Sequence, residues 1–324
     1  MAYFVKTIVA LIVAALVLGF CHAVGWVPID TFFFEVLING LMTGIMYSLV
    51  GLGFALIFKA SDVFNMAQGA MSLFASLALY GFLEQYMELP LWLALLCTVG
   101  VMTIWAYAIV FVVLKPLVNR PPLMLFMATF GVTYLMEGIG QSIYGTQAKG
   151  LNLGIPDDMY DVAGVFISSF DLFFAGVAAV LVGGLIWFFQ KTRNGRALRA
   201  VSDDHEAALS VGIPLLRAWS ITWIVAGVVA TVAGVAWGTR LGVQYSLSFI
   251  ALKALPVLII GGLDSIPGVI IAGLIVGAGE QLGEVYIGPH VGGGIQTFFP
   301  YLLALLVLYF KPYGLFGKEI IERV

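Results

Sequence analysis

"KTRNGRALRAVSDDHEAALSVGIPLLR" occupies Lys191–Arg217. Eight of the chain's 33 charged residues fall in these 27 positions, although Asp, Glu, Lys and Arg make up only 10% of the 324 residues. Long apolar runs lie on both sides. The local pattern is helical, with Arg193, Arg196 and Arg199 recurring at a spacing of three along one face. Asp203 is placed to cap a second short helix, and Glu206, three residues on, would close a capping box. Asp203, Asp204 and Glu206 also suit the positive amino-terminal end of a helix. Gly212 is positioned as a carboxy-terminal stop, and Pro214 prevents continuation. Ala207, Ala208, Leu209 and Val211 make this helix partly apolar. A short amphipathic helix outside a bilayer, with apolar side chains exposed, suggests a docking surface for another protein. The arginines by themselves read as the basic residues of a cytoplasmic loop.

The flanking runs set the solvent. Hydrophobic residues make up 61% of the chain, against about 45–50% in a soluble domain, where about 25% is charged. One core cannot hide that much apolar surface from water, whereas a bilayer removes the problem. A net charge of −3 gives no footprint for nucleic acid. Cys21 and Cys97 sit in apolar runs without metal spacing and read as packing residues. His22, His205 and His290 are scattered, so no metal site is expected.

A spanning helix needs roughly 20 apolar residues. Ten candidates meet or approach this: 4–25, 33–58, 66–84, 90–114, 122–144, 168–190, 218–239, 248–262, 266–285 and 296–311. The fold class is therefore all-α and polytopic, with about ten (8–10) transmembrane helices. The eighth is short and glycine-rich, as a half-helix or broken element would be. Alternation places Lys6, Lys59, Lys115, Arg120, Lys191, Arg193, Arg196, Arg199, Arg217, Lys311, Lys318 and Arg323 on one side. Lys149 and Arg240 fall on the other, with Asp157, Asp158, Asp161 and Asp171. The basic side is cytoplasmic, so both termini are cytoplasmic. Lys6 followed by "TIVALIVAALVLGF" also fits a signal-peptide core, but "CHAVGWVP" offers no clean small-x-small cleavage site. Residues 1–30 are read as an amino-terminal extension carrying a retained helix. The main domain is 31–324, with the cytoplasmic loop at 191–217.

Several polar groups interrupt the apolar runs. "NMAQG" places Asn65, Gln68 and Gly69 between the second and third spans. Buried amides must face protein or a water-filled path, so this is either a bend near a translocation route or a polar cytoplasmic turn. Asn39 and Thr43 share a face with Gly40 and Gly44, a spacing that usually marks close helix packing. Glu137, Lys253 and Glu280 are expected at or near membrane depth, where charge faces the bundle interior. Each could line a pathway or touch a partner, with snorkelling from a helix end the plainer account of Lys253. Glu280 follows "AGLIVGAG" and is expected to be buried at an interface. "GGLDSIPG" is a tight break: Gly261 and Gly262 permit unusual backbone angles. Asp264 or Ser265 can cap the next helix, with Pro267 in its first turn before Gly268. It is not a phosphate loop, since the GxxxxGK[ST] order is absent.

Taken in order, these segments resemble the permeases of branched-chain amino acid ABC importers (the LivH/LivM type). "GRALRAVSDDHEAALSVGIP" is similar to that family's cytoplasmic loop. "LINGLMTGIMYSLVGLGFALIF" resembles its early span, and "VFNMAQGAMSL" the turn after it. "LKALPVLIIGGLDSIPGVIIAGLIVGAGEQLG" resembles its GGxGSIPGA segment, and "YLLALLVLYFKPYGLFG" its carboxy-terminal end. The likeness covers about Phe34–Gly317. This chain has Gln68 where the family usually has histidine and Asp264 where it has glycine. The resemblance implies a cytoplasmic-side turn at "GGLDSIPG" and coupling to an ATPase through the loop at 191–217. It also implies partners: two cytoplasmic ATPase subunits using ATP and Mg, a second permease (identical or homologous) and an extracytoplasmic solute-binding protein. The chain itself would bind no cofactor and perform no catalysis. The location would be the bacterial cytoplasmic (inner) membrane. The solute would be small, polar and organic, most often a branched-chain or other hydrophobic amino acid, with urea, short amides and small organic acids as relatives' alternatives.

Two other classes compete with this reading. An ion-coupled secondary transporter would work alone and needs ionisable residues at mid-membrane, which Glu137 and Glu280 could supply; the capped cytoplasmic helix counts against it. An intramembrane enzyme needs acids, His or Cys converging at one depth, and no such set is visible.

Overall fold

A computed structural model describes residues 30–317 except 119, 157, 204–207, 209, 211 and 213, and the side chain of Asp203. The first expected span, 4–25, lies outside the described residues, as do the chain's two ends.

Helix α1 (Thr31–Ser61) starts at Asp30, whose carboxylate accepts from Phe33 N at 3.0 Å. It is apolar on all sides, and Leu49, Leu52, Ala55, Leu56 and Ile57 are fully buried. A helix without a polar face belongs at the centre of the bundle. Helix α2 (Gln68–Tyr80) continues through a π turn at Gly81–Gln85, and α3 (Leu91–Ala108) through another at Ile109–Leu114. Helix α4 (Pro122–Tyr144) opens on proline, whose missing N–H costs nothing in a first turn.

The next segment departs from the all-α expectation. Strands β1 (Met159–Val162) and β2 (Val165–Ser168) form an antiparallel hairpin. Its two-residue turn, Ala163 and Gly164, has φ of 58° and 82°, the geometry that matches strand twist. Asp161 Oδ1 accepts from Gly164 N at 2.7 Å and holds the turn.

Helix α5 (Ser169–Lys191) leads into α6 (Arg193–Asp203), then α7 (Leu215–Leu241). A 3₁₀ turn at Tyr245–Phe249 precedes the short α8 (Ile250–Gly261); α9 (Ile266–Leu282), the short α10 (Gly288–Val291) and α11 (Ile295–Phe310) complete the order. Among the described residues, six helices are long and apolar enough to cross a membrane: Thr31–Ser61, Leu91–Leu117, Pro122–Tyr144, Ser169–Lys191, Leu215–Leu241 and Ile266–Val291. Tyr245–Gly261 and Ile295–Phe310 are apolar but shorter. Each of the nine candidates from 33 onward thus corresponds to a helix, including the short eighth.

Helices α1 and α9 run antiparallel in close contact. Gly40 and Gly44 of α1 face Gly277 and Gly273 of α9, backbone against backbone. Lipid gives helices no hydrophobic reason to associate, so removal of side chains at the seam lets dispersion act at short range. Ser48 Oγ donates to Gly44 O at 2.9 Å, with Val269 O and Ile270 O of α9 at 3.4 Å.

Candidate functional site

The two ends of the bundle differ chemically. At one end lie the end of α1, α6, the α8–α9 break and the last described residues. Lys59, Ser202, Asp264 and Tyr313 line a cavity of about 410 Å³ there. Thr192 caps α6, with Gly195 N donating to its Oγ1 at 2.9 Å. Gly195 fits under Phe188 and Phe189, where a side chain would strike backbone. Leu198 and Val201 are buried in the main core, while Arg193, Arg196 and Arg199 are exposed. The exposed face of α6 is therefore basic. Asp203 is the last residue of α6. Asp204, Glu206, Ala207 and Leu209 lie outside the described residues, and so does the expected capping box. Ala208, expected to be exposed for docking, is 4% exposed and packs in the core. Gly212 has φ +84°, which a side chain would resist.

The break reads as expected locally. Ser265 Oγ accepts from Gly268 N at 3.2 Å, and Pro267 sits in the first turn of α9. Gly262 has φ +103° and lies against Gly317. Leu315 N donates to Ile260 O at 2.7 Å, tying the carboxy-terminal segment to the break. Gly261 and Gly268 meet backbone to backbone. Asp264 faces the cavity at this end.

The turn at 62–67 folds back into protein. Asn65 and Gln68 are fully buried. Asn65 Oδ1 accepts from Ala67 N at 3.0 Å, and Asn65 Nδ2 donates to Gln68 Oε1 at 3.3 Å. Met66 N donates to Thr129 Oγ1 at 3.2 Å, and that hydroxyl donates to Phe64 O. Gln68 occupies space that a side chain at Gly53 would fill, and its Nε2 has no hydrogen-bond partner. A simple solvated turn does not account for this burial.

Next to the turn is a cavity of about 200 Å³. Met66 and Ala70 form one wall; Phe54, Phe130 and Phe249 form others. Glu137 lines it and is 6% exposed. Tyr245 donates its phenol to Glu137 Oε2 at 2.8 Å.

Two ion pairs complete the buried chemistry. Lys253 Nζ lies 2.7 Å from Glu280 Oε1, and Glu280 is 2% exposed. Tyr47 donates to Glu280 Oε1 at 3.2 Å and accepts from Lys253 at 3.3 Å. Its ring stacks on Trp237, centroids 5.2 Å apart. Lys253 thus points into the bundle rather than snorkelling. Arg240 Nη1 is 3.1 Å from Asp171 Oδ1 and 3.5 Å from Thr43 Oγ1. Thr43 in turn donates to Asn39 O at 3.0 Å, so Asn39 meets this group through its backbone.

Residues 36–310 match the family described as branched-chain amino acid transport system / permease component. The chain belongs to this family. Among curated relatives, the high-affinity branched-chain amino acid transport system permease protein BraD of Pseudomonas aeruginosa is 25% identical over 307 residues, covering 90% of this chain and 98% of that one. LivH of Escherichia coli K12, named in the same words, is 25% identical with the same coverages. The probable LivH of Methanocaldococcus jannaschii is 28% identical over 295 residues, covering 84% of this chain and 88% of the other. This permease is accordingly a multi-pass membrane protein.

Sequence reasoning singled out Glu137, Lys253 and Glu280 but missed the tyrosines that hydrogen-bond to the two glutamates. Tyr245 and Tyr47 looked like ordinary aromatic residues of apolar runs. Arg240 and Asp171 were assigned to outer loops as separate charges. Their signal was that both fell on the same side in the alternation of spans, which allows pairing without requiring it.

Proposed function

We propose that this permease is the membrane subunit of an ATP-binding-cassette importer in the bacterial cytoplasmic membrane, passing a branched-chain or other hydrophobic amino acid inward. The end-to-end match to relatives named for high-affinity branched-chain amino acid transport carries this reading. Matches to a galactose and an autoinducer 2 permease reach only half of this chain, so the cargo follows the full-length relatives.

The chain has no phosphate-binding loop, so two separate ATPase subunits supply ATP and Mg chemistry. A second permease, identical or homologous, forms the other half of the path, and an extracytoplasmic binding protein delivers solute. The end bearing Lys59, α6 and Lys311 faces the cytoplasm, as the positive-inside rule requires, with both termini on that side and ten spans in all. Coupling runs through α6 and the residues after it. Burial of Leu198, Val201 and Ala208 roots this segment in the core, so a push on its basic outer face is transmitted to the spans.

Affinity purification of the tagged permease from its native membrane should bring down two nucleotide-binding subunits per permease pair; recovery of the permease alone would refute the assignment. Reversing charge at Arg196→Glu together with Arg199→Glu should lower uptake by about tenfold or more, the scale of losing one or two interfacial charge contacts, while ATP hydrolysis continues. Insertion, read by membrane abundance, should hold because both side chains are exposed.

A further inference from the structure

We propose that Glu137, set by Tyr245, is a specificity-determining residue that receives the solute's ammonium group inside the permease. The proposal rests on the amino-acid reading above and names the group on this chain that distinguishes such a solute from neutral or anionic ones.

Three observations meet at the cavity. Its size, about 200 Å³, is below the roughly 300–1,000 Å³ of pockets for drug-sized ligands, which selects a small solute. Its walls are apolar at Phe54, Phe130, Phe249 and Leu255, which suits an aliphatic side chain and offers little to a sugar or urea. Its acidic group is Glu137, 6% exposed and lining the space.

A buried carboxyl without a basic partner is costly and is kept where it is used. The hydrogen bonding is asymmetric. Tyr245 satisfies Oε2 at 2.8 Å, and Oε1 has no hydrogen-bond partner among the described residues. One oxygen is anchored and the other is open to a donor from the cavity. An ammonium group supplies both the donors and the missing positive charge. Among the described residues the other two buried acids, Glu280 and Asp171, are already paired with Lys253 and Arg240, which singles out Glu137. The rod Tyr245–Gly261 begins at the same cavity. Its positive amino-terminal end suits the solute's carboxylate. A carboxylate beside the path repels small organic acids and accepts zwitterions.

The test is initial-rate uptake of radiolabelled leucine and valine by the complete importer, expressed in cells stripped of their other amino-acid importers. Membrane abundance is measured in parallel. Glu137→Gln should cut the maximal rate for both solutes roughly ten- to hundred-fold, the value of a hydrogen bond to a charged group. The half-saturating concentration should not move, because the binding protein sets it. Glu137→Asp, which keeps the charge, should recover most of the rate. Thr133→Phe, which narrows the cavity one turn from Glu137 while keeping its carboxylate, should depress leucine more than valine.

Wild-type rates in Glu137→Gln would overturn the proposal. So would equal impairment of Gln and Asp variants at normal abundance, since shape rather than charge would then matter. Should Glu137→Gln fail to reach the membrane, Thr133→Phe decides, and equal treatment of leucine and valine overturns it. A wild-type importer that carries no amino acid at all would instead remove the cargo reading beneath it.

Discussion

Leucine in place of Gly277 is expected to abolish stable assembly of the permease. A Cβ at this position would fall 2.5 Å from Gly44 Cα and closer still to Gly40 O and Gly44 N. These are backbone atoms of α1 and cannot rotate away. Helices α1 and α9 must therefore separate along their whole seam, and the Ser48 contacts to α9 go with them. The cost lies at or above the upper end of the ~1–3 kcal/mol typical of overpacking, because the obstacle is main chain. Gly277→Ala should show a smaller loss of the same kind. Gly176→Ala on α5 is the control, since an added Cβ there meets nothing within 4 Å. It should be neutral or gain up to about 1 kcal/mol from helix propensity. Membrane abundance and thermal unfolding in detergent report all three, and Gly277→Leu with a normal melting profile would refute the packing account.

The second large effect concerns the Lys253–Glu280 pair. Lys253→Met leaves Glu280 buried without its counter-charge, which costs about 3–5 kcal/mol in comparable cases. The lower end applies, because the Lys253 side chain keeps 31% of its exposure. Tyr47 still donates to the carboxylate but brings no charge. Glu280→Leu alone strands a less buried cation and should cost less. The double variant Lys253→Met with Glu280→Leu should regain most of the stability lost by the first. Replacing both members of a buried pair by apolar groups is often neutral, whereas breaking one is not. A thermal-unfolding cycle on the detergent-purified protein gives the coupling directly. Additive single effects would mean that the two residues do not act as a pair.

Span positions were legible because a bilayer imposes length and polarity together. The reading 122–144 coincides with α4, and 33–58 with most of α1. Even the short α8 was visible, since Gly261 and Gly262 stop it and "GGLDSIPG" restarts the chain. The hairpin at Met159–Ser168 was not anticipated, although Tyr160, Val162, Val165 and Ile167 are strand-forming residues around an Ala-Gly turn. In a chain dominated by long apolar runs, a short segment between two of them carries too little periodicity to register. The candidate site was legible only in halves. Glu137 stood out as charge in an apolar run, but Tyr245 lies 108 positions away, and only the packing of both α4 and the 3₁₀ turn on α2 brings them together. Glu280 and Lys253 were both noticed; nothing in their spacing said that antiparallel packing of neighbouring helices would pair them. The amphipathic segment after α6 misled in one respect. Apolar residues flanked by charge can face a partner or the protein's own core, and Ala208 faces the core.

On the proposed reading, this chain is a conduit whose energy comes from separate ATPases. Reconstituting it in proteoliposomes with and without those subunits, with loaded binding protein outside and ATP inside, separates a passive conduit from a self-driven carrier. On this reading leucine accumulates in the complete assembly, abolished by omitting ATP and insensitive to a protonophore, and does not accumulate with the permease alone. Accumulation by the permease alone, driven by an ion gradient, would contradict it.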